Sequence, residues 1–228
     1  MKTKHTRGQR GLVEAELVYA SLLEVERGGL EGFGLRCAAR AIGCDVATLS
    51  YHFGSKEGLE RAIADRLQSE VAAPKPDLIW QTRLTEMARS YREIAKRYPN
   101  AFPLLLRFWS TGPGELQICE EWHRAHFDAG LREADIPAVG FATYAAILGV
   151  CAGEIGGLLN KPSPEALSEV QGQSDLPFTK KLLPAFARLS EDDVFDAAIA
   201  ILISGIESQV AKQGSRKPKP RVPRTKSH

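Results

Sequence analysis

The sequence predicts an all-α protein. Apolar residues recur at spacing three to four through most of its length, glycine or proline closes nearly every such stretch, and no run alternates with period two. The 228 residues are enough for one large domain or two small ones with a sizeable core.

The first helix is expected over 11–28, with Ala15, Val18, Leu22 and Val25 on one face and Gly28-Gly29 as its stop. The second covers 35–42 and turns Ala38, Ala39 and Ile42 inward. Gly43 follows, where the turn asks for a positive φ. The third covers 45–52, with Asp45 as N-cap and Leu49 as its anchor. A fourth opens at Ser55 and carries Leu59, Ile63 and Leu67 at spacing four. Two short helices hinged at a glycine, with a third helix after them, outline a helix-turn-helix. That arrangement lays one short helix in the major groove of duplex DNA. The run Leu49 to Glu57 adds an aromatic ring, an imidazole, a hydroxyl and an ammonium, all groups that grip phosphates.

Pro74 and Pro76 then break the chain, and the domain boundary falls within the fourth helix or just after it. The expected division is 1–70 for DNA binding, 71–212 for ligand binding and dimerisation, and 213–228 as a basic tail. Further helices are expected over 78–97, 100–111, 115–133, 137–159, 177–188 and 191–212. Residues 160–175 read as a loop because of Pro162, Pro164, Gly172 and several serines. The segment Lys217 to Lys226, with a proline at every second or third position, cannot hold a helix.

Charge is placed unevenly. The net value is only +2, but residues 211–228 carry seven basic and no acidic side chains, while 71–210 carry thirteen basic and eighteen acidic. Lys2, Lys4, Arg7 and Arg10 add a basic N-terminus. Basic ends on a neutral or acidic body suit a DNA binder whose affinity is set locally, and solvated tails remain the alternative. Cys37, Cys44, Cys119 and Cys151 form no Cys-x-x-Cys pair, so reduced thiols in a cytoplasm are expected. No apolar segment precedes the first helix. The longest apolar run, 141–159, is interrupted by Glu154 and reads as a buried helix, so no signal peptide or membrane association is expected.

Two helices have unusual faces. Ala145, Gly149, Gly153 and Gly157 recur every four residues, a stripe where another backbone can approach closely. The last helix is apolar around most of its circumference, Ile201 and Gly205 included. Pairing both helices with their copies in a second subunit would form an intersubunit four-helix bundle. A tight contact within one chain is the alternative for the stripe.

Residues 11–70 resemble the DNA-binding domain of TetR-family transcriptional regulators. The matching elements are Gly29-Leu30-Glu31-Gly32-Phe33, then Arg36-x-x-Ala39-Arg40-x-x-Gly43, then Thr48-Leu49-Ser50-Tyr51-His52-Phe53, then Ser55-Lys56-Glu57-Gly58-Leu59. Tyr98-Pro99, Thr111-Gly112-Pro113 and the final Phe195 to Glu207 segment also look like the ligand-binding domain of the tetracycline-repressor branch. The resemblance implies an all-helical homodimer on a palindromic operator, released by a small molecule. It also implies that Arg36, in the first turn of the second helix, reaches the groove; a solvated surface arginine is the alternative. Val46, Ala47, Thr48 and Ser50 are small enough to bring the third helix deep into the groove. For Val46 and Ala47 ordinary packing is the alternative. Tyr51, His52 and Lys56 read as phosphate clamps, Lys56 beside the free N–H groups that open the fourth helix.

Two departures from the family pattern matter. Ser50 stands where many relatives carry a tyrosine. Phe108-Trp109 stands where the tetracycline branch often has Arg-Pro, which argues against magnesium–tetracycline as the ligand.

The inducer pocket is expected along Phe102, Leu105, Arg107, Phe108, Trp109, Trp122, His126 and Tyr144, with Arg107 or His126 orienting one polar end. Most of these aromatics also fit a packed core. Cys119, His123 and His126 share a helix at spacings four and three, but such histidines more often donate hydrogen bonds, and neither metal nor cofactor is expected. Neither a glycine-rich phosphate loop nor a triad nor a paired-carboxylate motif points to an enzyme. A ligand-independent regulator or an activator, and less readily an all-helical enzyme, are the alternatives to a repressor.

Overall fold

The computed structural model describes residues 14–108 and 111–215. Trp109, the basic N-terminus and the tail beyond Ser215 lie outside the described residues. Within them the chain forms ten α-helices and one 3-10 turn, without strands. Helices α1 (Glu14–Gly28), α2 (Leu35–Ile42) and α3 (Val46–Phe53) pack with α4 (Lys56–Gln68) around Leu17, Leu22, Ala38, Leu49, Leu59 and Ile63, all fully buried. The turn between α2 and α3 is made as the sequence predicts. Gly43 has φ +76° and its N–H closes on Ala39. Asp45 precedes α3, but its side chain makes no capping hydrogen bond. Ser55 does cap α4, accepting from the Gly58 N–H at 3.1 Å.

The remaining helices are α5 (Trp80–Arg97), α6 (Pro113–Asp128), α7 (Ile136–Ile155), α8 (Pro164–Gly172), α9 (Pro177–Phe186) and α10 (Glu191–Ser215). Helix α5 packs on α6 and α7, and α10 packs on α7 and α5. Three expectations need correction. The helix expected over 100–111 is only a 3-10 turn, Phe102–Leu106, because Pro103 opens it and its core anchors lie within one short stretch. The segment expected as a loop contains α8, for Ser163 caps the Ala166 N–H and Pro164 takes the first helical position, where proline fits. The stripe of small residues is shorter than its spacing suggests. Helix α7 ends at Ile155, and Gly157 lies beyond it in a turn with φ +82°.

Helix α4 belongs to both halves of the molecule, since it also packs against α6 and the 3-10 turn. Its buried surface is wider than the single row Leu59, Ile63, Leu67. A second row, Glu60, Ala64 and Gln68, is buried as well. On the far side of the body, Glu154 on α7 accepts both Arg92 Nε and Nη2, at 2.6 and 2.7 Å, and Lys96 Nζ at 2.7 Å. Burial would raise this carboxyl, but the hydrogen bonds from Arg92 and Lys96 outweigh it and hold the value at about 2. The Arg92 guanidinium lies 4.7 Å from the ring of buried Phe195, which ties α10 to α5.

Two predictions follow from this packing. A Cβ on Gly58 would sit 2.0 Å from the Phe53 carbonyl oxygen, so the α3–α4 corner admits only glycine. Gly58→Ala should cost about 1–3 kcal/mol, or about 2–4 °C of Tm per kcal/mol for a chain of this size, in a thermal melt. Glu154→Gln should lower stability at pH 7 by about 1–3 kcal/mol. Because the folded value lies below the ordinary 4.5, the contribution is complete above about pH 4.5 and fades as pH falls toward 2. Urea unfolding at pH 7 and near pH 2.5 should show parent and variant converging in acid.

Candidate DNA-binding surface and ligand cavity

Helix α3 is held by one side. Leu49 is fully buried, and the turns around it leave Val46, Ala47, Ser50 and Tyr51 exposed on the outer face. Thr48 and His52 are half-buried at its edge. Tyr51 is 86% exposed. Its ring meets that of His52 edge-on at 5.3 Å. His52 Nδ1 lies 3.7 Å from Glu14 on α1. Arg36 is exposed in the first turn of α2. Lys56 stands at the start of α4, 3.6 Å from Glu60, whose other oxygen is 3.1 Å from Arg107. The eight residues thus occupy the outer edge of the α2–α3–α4 unit, with Lys56 tied into the molecule by one ion pair.

At the opposite end of α4 lies a cavity of about 830 Å³. Ile118, Pro137, Ala138, Gly140, Phe141 and Ala142 supply apolar wall. The polar atoms come from Gln68, Tyr91, Glu115, Cys119, Trp122, His123 and Tyr144. Gln68 reaches in from α4 and bridges two hydroxyls. Tyr91 Oη donates to its Oε1 at 2.7 Å, and its Nε2 donates to Tyr144 Oη at 2.8 Å. Burial pushes both phenols up, so they stay protonated donors. The Trp122 indole N–H donates to the Gly140 carbonyl at 3.1 Å.

The wall of this cavity is fastened to α4 a second time, through the start of α6. Asp65 Oδ1 accepts the Glu115 N–H at 3.0 Å and lies 3.2 Å from the Thr111 hydroxyl, so a carboxylate of α4 caps α6. Glu115 Oε2 in turn accepts from the Thr111 N–H and, at 2.9 Å, from its hydroxyl. The Thr111-Gly112-Pro113-Gly114 turn makes this approach possible. A Cβ on Gly112 would lie 2.8 Å from the Asp65 carboxyl, and one on Gly114 would lie 2.7 Å from the Asp65 carbonyl.

A family model described as "Tetracyclin repressor-like, C-terminal domain" matches residues 73–210. The chain belongs to the TetR family of transcriptional regulators. It is 24% identical over 207 residues to the class C tetracycline repressor protein of Escherichia coli, covering 86% of this chain and 91% of that one. Apo ActR from Streptomyces coelicolor superposes with a TM-score of 0.78 at 18% identity, over 90% of this chain and all of ActR. A structure of BioQ with its double-stranded DNA operator superposes at 0.63 and 20% identity, over 86% of this chain and 99% of that one. This TetR-family chain is accordingly a transcriptional regulator, and the relatives it matches are regulators rather than enzymes.

Of the expected pocket residues, Trp122 and Tyr144 line the cavity. Phe102 and Leu105 are buried in the core where the 3-10 turn meets α4. Arg107 pairs with Glu60 outside the cavity, and Phe108 lies under the guanidinium of Arg61, 4.5 Å from ring centroid to Cζ. His126 is fully buried behind Trp122, donating from Nδ1 to the Trp122 carbonyl at 2.7 Å, and burial lowers its pKa so that it stays neutral. The sequence reading missed Gln68, Tyr91 and Glu115. A signal was present for the first, since Glu60, Ala64 and Gln68 repeat the four-residue spacing beside the apolar row. Among the described residues no cluster of His, Cys, Asp and Glu is arranged to hold a metal. All four cysteine thiols are shifted upward: Cys37 chiefly by its hydrogen bond to Glu24, the others chiefly by burial, Cys151 to about 12.

The Gln68 bridge predicts strong coupling. Gln68→Met leaves two buried hydroxyls short of a partner and should cost about 1–3 kcal/mol. Adding Tyr91→Phe should recover part of that loss. A double-mutant cycle by urea unfolding is expected to give a coupling of about 0.5–3 kcal/mol, and additive effects would show that the bridge does not form.

Proposed function

We propose that this protein is a cytoplasmic repressor that binds a palindromic operator as a homodimer and leaves it when a small molecule fills the cavity. The observation that carries the reading is α4 itself, with Lys56 at the DNA-facing edge and Gln68 in the cavity wall. They stand twelve positions apart, about 18 Å along the helix. A ligand that rearranges the Gln68–Tyr91–Tyr144 bridge, or the Asp65 cap on α6, would shift α4 and the α3 it carries. It would do so only by its differential affinity for the two arrangements.

On the DNA side, residues 1–70 form the reading unit. Arg36 addresses a base edge, and Val46, Ala47, Thr48 and Ser50 face the floor of the groove. Tyr51, His52 and Lys56 hold phosphates. The DNA complex of BioQ supports a duplex as partner, and the complex of ActR with actinorhodin supports a small-molecule ligand on the same scaffold.

The dimer reading rests on surface that one chain leaves open. Ala145 and Gly149 on α7 are exposed, Gly149 and Gly205 have nothing within 4 Å of a would-be Cβ, and Ile201 is 71% exposed. Gly153 is half-buried, with Leu158 beside it at 3.4 Å. Helices α8 and α9 bury none of their own residues and expose Phe178, Leu182 and Phe186. Apolar surface on this scale marks an interface.

Selection of bound duplex from a random pool tests the reading, and a palindrome with half-sites about one helical turn apart is the expected result. On that site Arg36→Ala should cost about 1–3 kcal/mol and relax one base position per half-site. Lys56→Ala should weaken all sequences about equally and make binding less dependent on salt. Binding that shows no preference over bulk DNA, or sedimentation as a monomer at micromolar concentration, would sink the proposal.

A further inference from the structure

The cavity has a one-sided charge. Among the described residues lining it there is neither lysine nor arginine, one imidazole at His123, and one carboxylate at Glu115. The Glu115 side chain is nearly buried, and Thr111 occupies only its Oε2. No hydrogen bond among the described residues reaches Oε1. Glu115 lines the chamber, so a positive group arriving there meets its carboxylate with few other polar groups nearby. Its field is felt across the cavity, where Glu115 is among the causes that push up the phenols of Tyr91 and Tyr144 and the Cys119 thiol, behind burial in each case.

The aromatic wall has the same preference. Tyr91 from α5, Trp122 from α6 and Tyr144 from α7 meet at steep angles, with centroids 5.5 Å apart for Tyr91–Tyr144, 6.0 Å for Trp122–Tyr144 and 6.5 Å for Tyr91–Trp122. Rings from three helices thus pack edge to face in one wall, and aromatic rings attract cations over their faces. Outside, a groove of about 360 Å³ shares His123 and Pro137 with the cavity. It is flanked by Glu120 and Glu133, and Arg124 in its lining lies 3.5 Å from Glu121.

Building on the reading of this cavity as the ligand site, we propose that its ligand is an organic cation with a flat apolar body, its positive centre held between Glu115 and the Tyr91–Trp122–Tyr144 rings. A neutral ligand of the same shape leaves the carboxylate oxygen unanswered. An anionic one meets it without a counter-charge.

A matched probe set tests this on the full-length protein: 9-anthracenylmethyl-trimethylammonium, 9-anthracenemethanol and 9-anthracenecarboxylate, with affinities measured by calorimetry. The cation should bind about tenfold more tightly than the alcohol, and the carboxylate more weakly than either. Glu115→Gln keeps an acceptor for Thr111 and should bring cation and alcohol to within about threefold of each other. Tyr144→Leu should weaken the cation more than the alcohol. The probe series on the parent protein decides the matter even if a variant does not fold. Equal binding of alcohol and cation, tighter binding of the carboxylate, or a cation preference that survives Glu115→Gln would overturn the charge assignment while leaving the cavity as a ligand site. Binding of none of the three would overturn both. Cation binding without release of operator DNA would uphold the charge assignment and sink the inducer reading instead.

Discussion

Everything in this molecule depends on the double burial of α4. An ordinary amphipathic helix hides one stripe, but α4 hides two adjacent rows. Leu59, Ile63 and Leu67 are in the core, and Glu60, Ala64 and Gln68 are buried beside them. The helix packs on α1 and α3 on one side and on α6 and the 3-10 turn on the other. Packed interiors resist gradual deformation, so a helix clamped from both sides transmits a displacement rather than absorbing it. The side turned to the body carries three polar fastenings with defined geometry: Glu60 with Arg107, Asp65 with the start of α6, and Gln68 with two tyrosines. Hydrogen bonds of this kind are satisfied in one arrangement and broken in others, which is the property a two-state element needs.

On the proposed reading, the same polar groups make the cavity selective. An apolar chamber of this volume would take many flat molecules with similar affinity. The Gln68 bridge, the Glu115 carboxylate and the Trp122–Gly140 hydrogen bond fix where polar atoms of a ligand can go. Glu115 also stands in the chain of contacts that reaches Asp65. Its backbone N–H is the group that Asp65 caps, and its side chain holds Thr111. A ligand drawing on the Glu115 carboxylate therefore acts on the residue that joins α6 to α4. Affinity and response share one side chain, and each tenfold of differential affinity supplies about 1.4 kcal/mol toward the shift.

The helix-turn-helix was legible because each of its parts is a local rule. Gly43 takes the left-handed conformation, Ser55 caps its own helix, and Gly58 is required by a contact only five residues away. The cavity was not legible, because its wall is assembled from helices far apart in sequence. Aromatic density between 102 and 144 singled out Trp122 and Tyr144 but also Phe102 and Phe108. Nothing in the spacing separates a ring that lines a cavity from one that fills a core. The turn Thr111-Gly112-Pro113-Gly114 read as the end of a helix. Its second meaning, a close approach to Asp65, needs the fold. The loop expected at 160–175 failed for a simpler reason: Pro164 breaks a helix in its interior but starts one after a serine cap.

The open surface of α7 and α10 bears on how a small shift could matter. If the two chains meet there, the contact fixes the distance between two α3 helices, and a palindromic site fixes the distance they must have. Each 5° of tilt over the roughly 18 Å from Gln68 to Lys56 moves the DNA-facing end by about 1.5 Å. The two-fold axis imposes the same tilt on the partner, so the separation changes by about twice that amount when both tilt along the line joining them. Major-groove hydrogen bonds tolerate only a few tenths of an ångström. A rigid interface at α7 and α10 is thus as necessary to release as a movable α4. With a soft interface the dimer could slide to restore the spacing, and filling the cavity would leave the operator bound.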